Sequence, residues 1–284
     1  RHVLFRSLTR LNFLDERDIN PEQTFSHFVV QEAREGAAVV DLTPGFTSFS
    51  GAEWMADGKS VVMAGPRKLD EHPDRVESTS LYLADATGLG VKLFVEMKDY
   101  ALANPQPSPD GKSVACTATL GGSFSYAQAT IAIVSAIGGT PKLVTEKLDR
   151  SAGNLHWSDD STLIHFVAPM NGGFPLYDVN VKTGELHRFS ASVDIGVRAY
   201  DVSRDVVARV LTSPKNPSEL FVTTPGSSSS RQLTTHNSTW LAAKKLSEYE
   251  PHTLKNDAGA TVEFWTLKPT AFEPRSEEHT SELQ

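Results

Sequence analysis

An all-β array of repeated four-stranded units is the fold this sequence predicts, on three observations. The first is PSPDGKSVACT, Pro107–Thr117, where a turn runs into a strand. Ser108 and Pro109 open the turn, Asp110 is placed to bond the backbone two residues on, and Gly111 accepts the positive φ that closes it. Val114, Cys116 and Ala118 then alternate with Ser113, Ala115 and Thr117, the period-two pattern of a half-buried strand. The second observation is recurrence. WMADGKSVVMA (Trp54–Ala64), WSDDSTLIHFVA (Trp157–Ala168) and, more faintly, VSRDVVARVLT (Val202–Thr212) repeat the signal. Their turn aspartates, Asp57, Asp110, Asp160 and Asp205, are 53, 50 and 45 residues apart, near the period of about 40–50 residues of a propeller blade.

The third observation is a second hairpin travelling with the first, at Leu81–Glu96, Ile131–Glu146, Leu176–Ser190 and Leu220–Thr235, with an orphan copy at His27–Gly45. Two hairpins per period make four strands, the propeller unit. Five second hairpins beside four first hairpins are what an array cut inside a blade would show. The fold class expected is therefore a partial β-propeller of about four to five four-stranded blades, an open arc or incompletely closed ring, with a C-terminal linker hairpin.

Each element follows in order. LTRLNFLDERDIN, Leu8–Asn20, alternates as a strand and ends in an acidic turn before Pro21. Blade A is expected over about Phe46–Pro105, with a polar loop, Gly65–Thr79, between its hairpins. Glu71, His72 and Asp74 in that loop are metal-ligand types, but they are crowded on one segment with Pro73, and no nearby His or Cys completes a ligand set; a solvated loop accounts for them. Blade B spans about Gln106–Arg150. Its Gly121 and Gly122 lack the following helix and the Lys of a phosphate loop. Blade C, about Ser151–Asp194, has a turn at Ala168–Tyr177, and its His156 and His165 read as packing or surface residues. Blade D runs from about Gly196 to Thr235, with Ser227–Ser230 as a flexible hairpin tip. Leu241–Glu250 is expected as a short helix, and Thr253–Pro269 as a hairpin turning at Asp257–Gly259.

Composition narrows the chemistry. In 284 residues, 39% are hydrophobic and 22% charged, ordinary for a folded chain, and a net charge of −8 without a basic stripe argues against a nucleic-acid partner. Apolar runs are strand-sized, short of the roughly 20 residues of a spanning helix, so no membrane partner is expected. Cys116 stands alone, which excludes an internal disulfide and a cysteine metal cage, and it reads as a small buried hydrophobe. No cofactor, metal or catalytic residue is assigned. The sequence opens on Arg1, with no initiator Met or signal peptide, and the compartment is left open. Residues 1–7 (with VLFRS) and 275–284 (RSEEHTSELQ) look like translated sequencing adapter, so the natural stretch is expected to run from about Leu8 to Pro274.

The closing motifs carry a resemblance. NPSELFVTT (Asn216–Thr224), RQLTTHN (Arg231–Asn237) and the exit hairpin with WTLKPTAFEP (Trp265–Pro274), together with LTRLNF (Leu8–Phe13), resemble the prolyl oligopeptidase family of serine peptidases, in its acylaminoacyl and dipeptidyl peptidase branch. The resemblance implies blades over residues 8–240 and a linker hairpin over 241–274 leading into an α/β-hydrolase domain. It further implies a parent enzyme that hydrolyses short peptides through an acyl-enzyme, with the propeller restricting entry. The catalytic elbow of such enzymes is GxSxG, followed by Asp and His. This chain has no GxSxG; Gly45–Gly51 (GFTSFSG) and Gly121–Ala127 (GGSFSYA) miss its spacing. Peptide is thus the implied substrate, reached through a domain outside these residues, and the oligomeric state is open. Similar repeats build the TolB propeller, so a non-enzymatic propeller that binds protein partners is the alternative. A propeller enzyme with a central metal or sugar site is a third.

Overall fold

The computed structural model describes residues 25–70, 78–121, 126–170, 172–189, 196–204, 206–213, 215–224, 230–247 and 249–270. The strand expected at Leu8–Asn20, the segments 1–7 and 275–284, and Glu71, His72, Asp74, Gly122 and Ser227–Ser229 lie outside them.

The chain is all-β, a partial β-propeller built from four-stranded antiparallel blades. The orphan hairpin forms as β1 (Val29–Gln31) and β2 (Val39–Asp41), paired antiparallel. The first blade is β3 (Ser50–Trp54), β4 (Ser60–Pro66), β5 (Thr79–Asp85) and β6 (Val91–Val95), and the second is β7 (Tyr100–Pro107), β8 (Ser113–Leu120), β9 (Ala129–Ser135) and β10 (Lys142–Leu143). The third is β11 (Gly153–Trp157), β12 (Leu163–Val167), β13 (Leu176–Asn180) and β14 (Leu186–Arg188). The fourth is β15 (Gly196–Ser203), β16 (Val206–Ser213), β17 (Asn216–Thr223) and β18 (Arg231–Gln232). Within each blade the strands are hydrogen-bonded in chain order. Helix α1 (Ser238–Ala242) and the hairpin β19 (Tyr249–Lys255) with β20 (Thr261–Leu267) follow. Two compact units divide the chain, residues 1–166 with 178–187 and residues 167–177 with 188–284.

The turns form as their chemistry dictates. Asp110 accepts the Ser108 hydroxyl at 2.7 Å and the Lys112 N–H at 3.0 Å, Asp57 accepts the N–H groups of Lys59 and Ser60, and Asp160 accepts the Ser158 hydroxyl and the Thr162 N–H. Gly58 and Gly111 take φ of 63° and 70°; Ser161 holds the same left-handed position at 59°. The faint fourth copy differs because its turn is shorter. Ser203 pairs directly with Val206 across two residues, whereas Ser108 and Ser113 bond across four.

Burial corrects the half-buried strand. From Val114 to Ala118 every residue of β8 is buried, and Val61–Pro66 of β4 are buried likewise. The first and second blades lie face to face in the first unit, where Val114, Cys116 and Ala118 join Val62, Ala64, Leu81 and Leu102 in one core. The opposite face of β8, with Ala115 and Thr117, is covered too. Small side chains suit two sheets in close contact, and each fully buried Val or Leu contributes about 1.5–3 kcal/mol.

Other boundaries move. The loop of the first blade is shorter than Gly65–Thr79, because Gly65 pairs with Ser80 and Pro66 with Thr79. The second blade opens at Tyr100 instead of Gln106. The helix expected at Leu241–Glu250 is one short segment, Ser238–Ala242, since Tyr249 and Glu250 are drawn into β19 by pairing with Leu267 and Thr266.

The turn aspartates are expected to make folding acid-sensitive. Backbone N–H groups at Asp57, and a serine hydroxyl with a backbone N–H at Asp110 and Asp160, hold their carboxyls below the ordinary range. A carboxyl lowered by folding stabilises fully above its unfolded value, about 4, and loses that contribution as pH falls through the folded one. Replacing all three by Asn is expected to flatten the acid limb of the melting temperature below about pH 4, measured by calorimetry across pH; an unchanged limb would contradict the assignment.

Candidate functional site

The described residues singled out in the sequence lie in strands and turns. Cys116 is fully buried and its thiol is pushed up to about 12 by burial, so it is not a thiolate at neutral pH. His165 is buried in β12 and His156 half-buried in β11. Gly121 closes a turn after β8, its N–H bonded to the Asp99 carbonyl. Gly45 and Ser50 lie at the entry to β3, far from a strand-to-helix elbow. Among the described residues, no group of three or more His, Cys, Asp or Glu is placed to hold a metal ion.

Ser230 is the exception. It was expected at a flexible tip, yet its hydroxyl bonds the guanidinium of Arg209 and lies 2.9 Å from the Thr223 hydroxyl. Arg209 is itself 3% exposed, in the middle of β16. Strand alternation puts it on the same face as Val207 and Leu211, and register sets it between Tyr200 of β15 and Phe221 of β17. Its Nη2 donates to Thr223 Oγ1 at 2.9 Å, and its guanidinium lies 5.2 Å from the centre of the Phe189 ring. Cation–π attraction and hydroxyl bonds hold the charge there. Burial pulls its pKa below the ordinary arginine value. Arg209, Leu211, Thr212, Ser213, Asn216 and Phe221 line a cleft of about 360 Å³.

The closing motifs acquire a physical meaning in Glu219. This residue of NPSELFV is 2% exposed, and its carboxylate accepts the Thr234 hydroxyl, the Asn237 N–H at 2.8 Å and the Asn237 side-chain amide at 3.0 Å. Those bonds, the Thr234 hydroxyl first, lower its pKa. Glu219 therefore latches RQLTTHN, and with it the start of α1, onto β17. The hairpin after α1 presents apolar side chains to solvent, among them Leu254, Val262 and Leu267. Trp265 packs on Gly172, where an added Cβ would come within 2.5 Å of the indole. Arg209 and Glu219 were both missed in the sequence. The available signal was a charge at an inward position of a period-two pattern, Val207-Arg209-Leu211 and Glu219-Phe221-Thr223.

No family model matches the chain. Dipeptidyl-peptidase 5 of Porphyromonas gingivalis is 22% identical over 221 residues, 78% of this chain and 32% of that protein. The chain resembles the propeller portion of a prolyl oligopeptidase family peptidase. This chain thus spans about a third of that curated relative. Acylaminoacyl peptidase of Pyrococcus horikoshii superposes on this chain with a TM-score of 0.62 at 19% identity, over 83% of this chain and 34% of that one. A putative TolB of Agrobacterium tumefaciens superposes with a TM-score of 0.52 at 18% identity, over 70% of this chain and 66% of that one. At such identities the superpositions speak for the fold, and they extend to other solved β-propeller domains.

Glu219→Ala would strip Thr234 and Asn237 of their acceptor. A lower melting temperature and faster proteolysis between residues 234 and 247 are expected, with the rest of the fourth blade protected; cleavage at the wild-type rate would show that the latch is dispensable.

Proposed function

We propose that residues 8–240 are the substrate-gating propeller, and residues 241–274 the linker hairpin, of a serine-type oligopeptidase that hydrolyses short peptides. The chain itself supplies no catalytic residue in this reading. The Ser, Asp and His belong to an α/β-hydrolase domain joined after the hairpin, and the propeller restricts entry to peptides small or unstructured enough to pass. The observation that carries the proposal is the sequence similarity to dipeptidyl-peptidase 5, which accompanies the Glu219 latch and the exit hairpin. The apolar face of β19–β20 supports it, since a hairpin carrying Leu254, Val262 and Phe264 on one face in water is better accommodated against a further domain. The likeness to TolB keeps a protein-binding propeller as the second reading.

Reading the gene beyond the codon for Pro274 is the test. The peptidase reading expects the frame to enter a hydrolase with a GxSxG elbow and later Asp and His. It also expects the whole protein to cleave dipeptidyl or acylaminoacyl p-nitroanilides, with no turnover by residues 8–274 alone. A frame that continues into further blades, or a stop, would transfer the assignment to the binding propeller.

A further inference from the structure

We propose that the cleft at Arg209 binds a small organic carboxylate, an α-amino acid carboxylate of the kind an N-acylated amino acid or a peptide C-terminus carries. The inference stands on the cleft alone and does not require the peptidase reading.

A guanidinium stays charged at every accessible pH and offers five N–H donors in a planar fork. Buried without an anion it is costly, and buried charges are normally paired. Arg209 is 3% exposed, yet among the described residues it bonds hydroxyls and no carboxylate. Its acceptors among the described residues, Thr223 and Ser230, are neutral hydroxyls, and both are served by Nη2. Nε is buried with no hydrogen-bond partner among the described residues. Its neighbours across the strands are aromatic, Tyr200 and Phe221, and Phe189 covers the guanidinium. Glu219, on the same face of β17 two residues from Phe221, directs its carboxylate to Thr234 and Asn237 instead.

The guanidinium also lines an opening of about 360 Å³, within the size range of small-molecule sites, roughly 300–1,000 Å³. The other described lining residues suit the rest of such a ligand. Ser213 and Asn216 supply a hydroxyl and an amide that suit an acylated nitrogen, while Leu211 and Phe221 suit an apolar side chain. A carboxylate is favoured over a compact inorganic anion because the cleft that holds the cation is also lined by the apolar Leu211 and Phe221.

The test is titration of the 284-residue chain with N-acetylphenylalanine, followed by calorimetry. Saturable binding is expected, with N-acetylphenylalaninamide weaker by at least about tenfold, since a charge-assisted hydrogen bond contributes about 1.5–3 kcal/mol. Arg209→Met is expected to abolish binding while melting cooperatively, because an apolar side chain of similar length replaces an unpaired buried charge. Arg209→Lys, with the charge but not the fork, is expected to bind at least about tenfold more weakly. Asn216→Ala, which leaves the guanidinium's own partners in place, is expected to weaken binding if Arg209→Met does not fold. Acetyl-Ala-Ala-Phe separates the two sources: binding as tight as N-acetylphenylalanine assigns a peptide end, and weaker binding a free acylated amino acid. The proposal is overturned if nothing binds, if acid and amide bind equally, if sodium sulfate competes with equal affinity, or if binding survives in both Arg209→Met and Asn216→Ala.

Discussion

Burial of both faces of a strand is the constraint on which the first unit depends. A strand with water on one side tolerates polar residues at every second position; β8 does not have that freedom, and from Val114 to Ala118 it carries only Val, Ala, Cys and Thr. Thr117 is admitted because its hydroxyl donates to the Ala103 carbonyl and accepts from the Asn104 amide. Small residues let neighbouring sheets approach, and the approach in turn excludes water from the backbone hydrogen bonds. Ordering each residue costs about 1–2 kcal/mol of backbone entropy, which burial on both faces of β8 helps to offset.

The fourth blade departs from that rule in an informative way. Its second strand reads Val207-Arg209-Leu211 on the inward face, joining a core of Val167, Leu176, Val197 and Val202 with a cation set into the row. The third strand answers with Glu219, also inward and also buried. The two charges do not neutralise each other. Glu219 is used to fasten the chain that leaves the blade, and Arg209 keeps donor capacity in an open cleft. Buried polar groups that take up specific partners restrict the alternatives a backbone can adopt. In Glu219 that restriction fixes where the propeller strands end and the connection to α1 begins.

What was legible in the sequence was local. Asp-Gly turns announce themselves because Asp110 and Gly111 do their work within three residues, and the spacing of Asp57, Asp110 and Asp160 follows. What was not legible depended on residues far along the chain. The covering of the second face of β8 comes from elsewhere in the fold, so period-two alternation read it as half-buried. Ser230 looked like part of a serine-rich tip because its partner, Arg209, lies 21 residues earlier. The helix expected at Leu241–Glu250 had adequate propensity, but pairing of Tyr249 with Leu267 overrode it. The closing motifs were recognisable as a pattern before their reason was visible; the carboxylate of Glu219 supplies it.

Amide hydrogen exchange of the chain at neutral pH, read strand by strand, tests the stacking most directly. The account predicts the slowest exchange in β4, β8 and β9, where both faces or the blade centre are covered, and fast exchange in β1–β2 and β19–β20, which are two-stranded and largely exposed. Exchange in β8 as fast as in β19–β20 would contradict it, because a strand buried on both faces opens only when the stacked sheets separate.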